Sequence, residues 1–346
     1  MTTEFLALSK VLSVLKWLGP CWELILFLVG LSGIGVIFYL GKNPARAQKV
    51  GRLYLGASAL TLLGVFLTLC YLHLSIYQTV VLKLPPDLAH LVNQWLLGMG
   101  KNYAFQLPLY HPSQPPRFAP PPWLGDEKYL FWFLIYSLLA YWAWPKLSKN
   151  FFRYGLLFFS ALHLLLLSLF FHPLSNPLPE FLAEISPWWA PLSAHQRIIV
   201  FLKLYPRLIF YYNAPYMWIH PPLLLIAYAT LELFFVFCLG MFMYEDLQIE
   251  KLAYFTARPG YLALTLGMLV GLPWALEAWG SNWWWDPKIS SSLMMWVVFS
   301  TYFHARLYLS RRGMWRFTAL LGILSFVAMV FTVIASYLFG GQHTVH

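Results

Sequence analysis

Apolar residues along this chain come in runs of about 18 or more, separated by short polar or proline-rich breaks; at about 1.5 Å per residue, such a run crosses a hydrocarbon core of roughly 30 Å as a helix. Reading runs against breaks predicts spans over residues 21–41, 53–80, 129–145, 153–172, 217–244, 259–277, 290–307 and 316–339. The expected fold is all-α: a polytopic membrane protein of about eight transmembrane helices, with interfacial helices and an outer-face loop rich in tryptophan. The stretch 198–212 is interrupted by Lys203, Pro206 and Arg207 and is predicted to lie in the outer interface. Residues 1–19 hold Lys10 and Lys16 and lack a small-residue cleavage site, so they too are predicted to be an interfacial helix and not a removed signal.

Composition supports that reading. Of 346 residues, 60% are hydrophobic and 10% charged, so most backbone must satisfy its own hydrogen bonds, with membrane lipid as its surroundings. The net charge of +10 comes with no basic patch on a soluble fold, which argues against nucleic acid as a partner. Four short connections carry 13 of the 23 Lys and Arg: Lys42, Arg46, Lys49 and Arg52; Lys146, Lys149 and Arg153; Lys251 and Arg258; Arg306, Arg311, Arg312 and Arg316. The positive-inside rule puts these in the cytoplasm. Both termini, the proline-rich loops at 82–127 and from 173, and the segment 278–289 are then expected outside, with the two proline-rich loops on one face. Cys21, Cys70 and Cys238 have no metal-ligand spacing and are read as packing residues. The chain divides into an amino-terminal transmembrane half, 1–200, and a core, 201–346.

Candidate chemistry concentrates in that core. Trp274, Trp279, Trp283, Trp284 and Trp285 give five indoles in twelve residues, followed by Asp286, Pro287 and Lys288. Indole faces form an apolar platform, and Gly280 and Pro287 supply bends that can set them around a large planar ligand; the alternative is a heavy interfacial anchor. Two histidines fall at the same depth: His220, opening one span, and His343, following the last. Neutral imidazoles on either side of such a platform suit the axial positions of haem iron, although either alone would suit a polar cap. Arg197, Lys203, Arg207 and Lys288 are candidates to pair with haem propionates or with anionic lipid headgroups. His304 lies near the inner end of its span, His163 near mid-membrane, and His73 and His172 nearer the outside. Glu232 is about 18 Å below His220 on one helix and is expected to be neutral or paired, with a histidine among the possible partners.

These residues carry a family resemblance. Trp279-Gly-Ser-Asn-Trp283-Trp-Trp285-Asp286-Pro287-Lys288, with histidines before and after, resembles the WWD signature of haem-handling proteins in cytochrome c biogenesis. Glu277-Ala-Trp-Gly-Ser and Tyr302-Phe-His304-Ala-Arg306 look most like CcsA, also called ResC, while His220-Pro-Pro-Leu-Leu is similar to the relative CcmF. The likeness covers roughly residues 213–346, and residues 1–200 look like the variable amino-terminal spans of such proteins. Where CcsA proteins continue Asp-Pro-Lys-Glu-Thr-Trp, this chain has Ile289, Ser290 and Ser291 after Lys288. Gln342-His343-Thr344-Val345 stands where they have Leu-His-Ser-Tyr.

The resemblance implies that His220 and His343 are axial ligands of an external haem b, with Trp279, Trp283, Trp284, Trp285 and Asp286 as its binding surface. His304 would ligate a haem inside the membrane, opposite a ligand from a CcsB-like (ResB-like) membrane partner, with His163 as an in-chain reserve. The implied activity is that of a cytochrome c haem lyase (synthase) subunit, joining haem to the CxxCH site of an apocytochrome c at a prokaryotic cytoplasmic (inner) membrane. Two alternatives stay open: a haem exporter or chaperone like the WWD relative CcmC, which makes no thioether bond, and a b-type electron-transfer cytochrome.

Overall fold

Helices account for the architecture of the computed structural model, which describes residues 3–42, 44–99, 107–147 and 149–340. They are α1 (Thr3–Lys42), α2 (Pro44–Thr79), α3 (Pro86–Met99), α4 (Glu127–Ala143), α5 (Asn150–Leu166), α6 (Pro179–Ile185), α7 (Ala194–Arg207), α8 (His220–Met243), α9 (Leu247–Trp279), α10 (Pro287–Arg306) and α11 (Met314–Leu338). Among the described residues, six helices are long and apolar enough to cross a membrane: α1, α2, α5 with its π-helical extension, α8, α9 and α11. The 17-residue α4 and the more polar α10 occupy the other two predicted places. Rows of Leu, Ile and Phe on α1, α9 and α11 face outward uncovered, as lipid-facing surface does. The protein is an all-α, multi-pass membrane protein.

At the centre stands α8, against which α4, α5, α9 and α11 all pack. Glycines bring its neighbours close. A Cβ at Gly260 of α9 would lie 2.2 Å from Thr230 Oγ1, and one at Gly322 of α11 would lie 2.2 Å from Cys238 Sγ. Small residues at such seams let backbones approach in the absence of a hydrophobic driving force between helices. Cys238 is fully buried there, as a packing residue should be, whereas Cys21 is exposed on α1.

The proline-rich segments pack together into one layer. Phe118 packs edge-on against Phe181 and Tyr212, each with ring centroids 5.4 Å apart. Asn213 accepts from Ala119 N at 2.9 Å and donates to the Arg117 carbonyl at 2.7 Å, and Trp188 donates to the Val81 carbonyl at 3.2 Å. The segment expected to lie in the interface forms helix α7, started by a capping box between Ser193 and Gln196 and prolonged by a π-helical turn, Leu208–Tyr212.

Several helices differ from expectation: α2 begins at Pro44, nine residues before its expected span, and α3 and α6 lie within segments read as proline-rich loops. Residues 3–19 belong to α1, one helix of 40 residues that runs through Pro20 and is about 60 Å long. The predicted break there does not occur, and the helix continues through Pro20. Helix α9 begins at Leu247, twelve residues before the expected span. Its first turns carry Glu250, Lys251 and Arg258, which read as loop; in the fold Glu250 pairs with Arg306 of α10, whose guanidinium lies 3.6 Å from the centre of the Tyr254 ring.

Candidate functional site

At the amino-terminal end of α8, the His220 ring packs against α9. Its Nδ1–H donates to the Gly267 carbonyl at 2.7 Å, and a Cβ on Gly271 would come within 2.5 Å of its Cε1 and Nδ1. Gly271 thus makes a bed that only glycine leaves open, while a Cβ on Gly267, one turn away, would meet Leu224 Cδ2 at 2.8 Å. A carbonyl can only accept, so in the neutral ring the proton sits on Nδ1 and Nε2 keeps its lone pair. A backbone acceptor behind one imidazole nitrogen is the usual support for a metal-binding histidine. Nε2 bonds to none of the described residues.

Indoles wall this ring. Trp274 is 6.1 Å from His220 between centroids and is anchored by donating to the Phe210 carbonyl at 2.8 Å, while Trp279 meets Trp274 edge-on at 4.7 Å. Beyond them a 3-10 turn, Gly280–Trp285, carries the rest of the platform. Gly280 opens it at φ +73° and ψ −157°, a region open essentially only to glycine. Trp284 and Trp285 stack at 4.3 Å and stand 52% and 71% exposed, an apolar surface in search of a cover; Trp283 is half-buried.

Asp286 is buried beneath the turn, and its carboxylate caps α10 by accepting from Lys288 N at 3.0 Å and Ile289 N at 3.3 Å. That geometry gives it a positioning role for the loop. Lys288 follows in the first turn of α10, above the predicted span. Burial, with Lys128 of α4 nearby, pushes its ammonium down to about 7. Arg207 is held instead by Glu184 at 2.6 Å, and Arg197 rests over the Trp188 ring; these two cations are engaged within the proline-rich layer. Lys203 is exposed on α7.

The remaining histidines separate. His343 lies outside the described residues. His304 is exposed on the last turn of α10. His163 does not face it: its Nε2 is 2.8 Å from Glu232 Oε1 inside the bundle, which removes the in-chain reserve and supplies the partner expected for Glu232. His73 Nδ1 donates to the Pro120 carbonyl at 2.8 Å, and His172 pairs with Glu23 at 3.2 Å.

The model of the family described as cytochrome C assembly protein matches residues 126–345, more than half of the chain, and takes in every element of this corner. The chain belongs to the cytochrome c assembly protein family. Its relatives include the cytochrome c biogenesis protein CcsA of Synechococcus sp. (strain CC9605), 41% identical over 98 residues, which is 28% of this chain and 32% of the relative. CcsA of Prochlorococcus marinus (strain MIT 9303) is 42% identical over 98 residues, 28% of this chain and 30% of the relative. CcsA of Welwitschia mirabilis is 50% identical over 60 residues, 17% and 20% respectively. The chain thus spans about a third or less of the length of these curated relatives. No solved structure matches it.

The residues overlooked in sequence are those that support the His220 ring. Gly267 and Gly271 are visible as a GxxxG in an apolar run, a helix-packing signal that says nothing about which side chain it will cradle. Trp123 of the proline-rich segment, donating to the Met217 carbonyl at 2.7 Å and edge-on to Trp218 at 5.5 Å, had no sequence signal at all.

Proposed function

We propose that this protein handles haem at the outer face of a prokaryotic cytoplasmic membrane and serves its covalent attachment to an apocytochrome c, as a CcsA-like synthase subunit. One observation carries the reading: His220 is locked by Nδ1 on a backbone carbonyl, with Nε2 uncommitted beside an indole wall. That arrangement fits an axial ligand of haem b, and His343 is the proposed second ligand. Trp279, Trp283, Trp284 and Trp285 form the surface for the porphyrin face or edge, Asp286 fixes that surface, and Lys288 with Lys128 is the proposed contact for a propionate.

Haem is the substrate here. Each CxxCH thiol adds S–H across a vinyl C=C, forming one C–S and one C–H bond, so the chain need supply no nucleophile or oxidant; it ligates, orients and shields. His304, exposed on α10, is the proposed ligand of an inner haem whose other ligand comes from a CcsB-like partner. In this orientation both termini lie outside.

The test is an absorption spectrum of the purified protein, oxidised and reduced, for wild type, His220→Ala and His343→Ala. Both variants should lose the low-spin bis-histidine spectrum, and wild-type spectra in both would remove the assignment. Expression with an apocytochrome in a host lacking its own synthase tests attachment. Haem retained without thioether product would favour an exporter or chaperone.

A further inference from the structure

The end of the bundle opposite the tryptophan turn holds cations and aromatic rings that the proposed haem site does not use. There α4 runs into a 3-10 turn, Trp144–Lys146, and α9 begins at Leu247. Between them lies a hollow of about 370 Å³ lined by Lys146, Gln248, Lys251, Leu252 and Phe255. Trp142 of α4 stacks on Phe255 of α9 at 5.5 Å and 20°, and the Lys146 ammonium sits 3.0 Å over the Trp142 ring. The Arg258 guanidinium lies 5.8 Å from the Phe255 ring, on the same stack.

Positive charge is in excess there. The acids that flank Leu247–Ile249 are bound elsewhere, Asp246 to Lys149 at 3.0 Å and Glu250 to Arg306. Lys146 and Lys251 are exposed, and their ammonium groups, with the side-chain amide of Gln248, can all present N–H to one anionic group. An uncovered apolar stripe leads away from these cations. Phe255, Leu262, Leu266 and Leu269 are all exposed, at spacings of seven, four and three that keep them on one face of α9. The stripe is about 21 Å long, more than half of a hydrocarbon core of roughly 30 Å, and so covers one leaflet. Leu138 and Trp142, one turn apart on α4, are exposed as well. Cations at the head of an apolar track match the two parts of an anionic lipid, its phosphate and its acyl chains.

We propose that this hollow, between the end of α4 and the first turns of α9, binds the phosphate headgroup of an anionic membrane phospholipid whose acyl chains lie along the exposed stripe of α9. Lys146 and Lys251 contact the phosphate, Gln248 donates its amide, and Trp142 and Phe255 form the wall where headgroup meets chains. A zwitterionic phospholipid brings its own cation to the phosphate, so the site discriminates by net charge.

Native mass spectrometry of the full chain in detergent counts bound lipid directly and needs no haem. Wild type should hold its first phosphatidylglycerol at least tenfold tighter than phosphatidylcholine. Lys146→Gln/Lys251→Gln should weaken that first phosphatidylglycerol about tenfold, because two cations at the headgroup level are lost. Lys251→Glu, a single change at an exposed position, should do the same. Arg311→Gln/Arg312→Gln removes two exposed cations from the connection between α10 and α11 and should leave the affinity unchanged. Wild-type affinity in either lysine variant, or an equal loss in the arginine variant, would overturn the proposal. Inorganic phosphate that displaced the lipid at equal concentration would overturn the lipid as occupant.

Discussion

His220 and His304 sit at opposite ends of neighbouring spans, and the chain treats them differently. His220 has a carbonyl behind it, a glycine bed beneath it and an indole 6.1 Å away. His304 stands exposed on α10, one turn from nothing comparable, while the adjacent Arg306 is the residue drawn into the bundle by Glu250. The His220 imidazole is therefore pre-oriented within this chain, so the proposed haem contact would need little further ordering. His304, exposed on α10, has no such support among the described residues.

The contrast can be broken most sharply by filling the bed under His220. Gly271→Leu places carbon where the ring now lies, so the outer haem should fall at least tenfold in occupancy, as loss of a ligand's support does for metal sites; titration with haem and its spectrum would check this. Retention of wild-type affinity would mean that the ring is not held there when haem binds. His304→Ala should leave outer-site haem unchanged in the chain alone, yet lower total haem by up to half when a CcsB-like partner is co-expressed. Haem counted per polypeptide in both preparations decides it. Asp286→Ala removes the α10 cap and should cost about 1 kcal/mol, lowering Tm by a few degrees and haem affinity only a few-fold.

The smallest expected effect is electrostatic. With its ammonium pushed down to about 7, Lys288 is charged below that pH and loses its charge as pH rises through it. A propionate contact should therefore weaken a few-fold with rising pH in wild type, and Lys288→Ala should flatten that dependence. Because burial disfavours the charged lysine, the same residue makes the fold less stable at low pH: between about 7 and its ordinary value the unfolded chain binds the extra proton, so stability rises with pH there. Denaturation midpoints followed across that range separate the two consequences.

Much was legible before any coordinates. Each of the eight apolar runs coincides with a helix, because a lipid environment forces backbone to pair with itself and makes run length a direct measure of a span. The indole cluster and His220 could be placed at one depth from the alternation of charged connections. Residues 247–258 misled, since Glu250 and Arg258 look like solvated loop until Arg306 and Tyr254 are seen beside them.

Local pattern thus determined where the chain crosses, which turn collects indoles and which histidine opens α8, all of them matters of periodicity and depth along one dimension. Only the tertiary structure decided that His220 leans on Gly267 47 residues away, that Asp286 is spent on a helix cap, and that His163 meets Glu232 across 69 residues. Hydropathy is additive along a chain. Which two polar atoms meet depends on how helices rotate about their axes, and that is set by the glycines and aromatic rings with which they interlock.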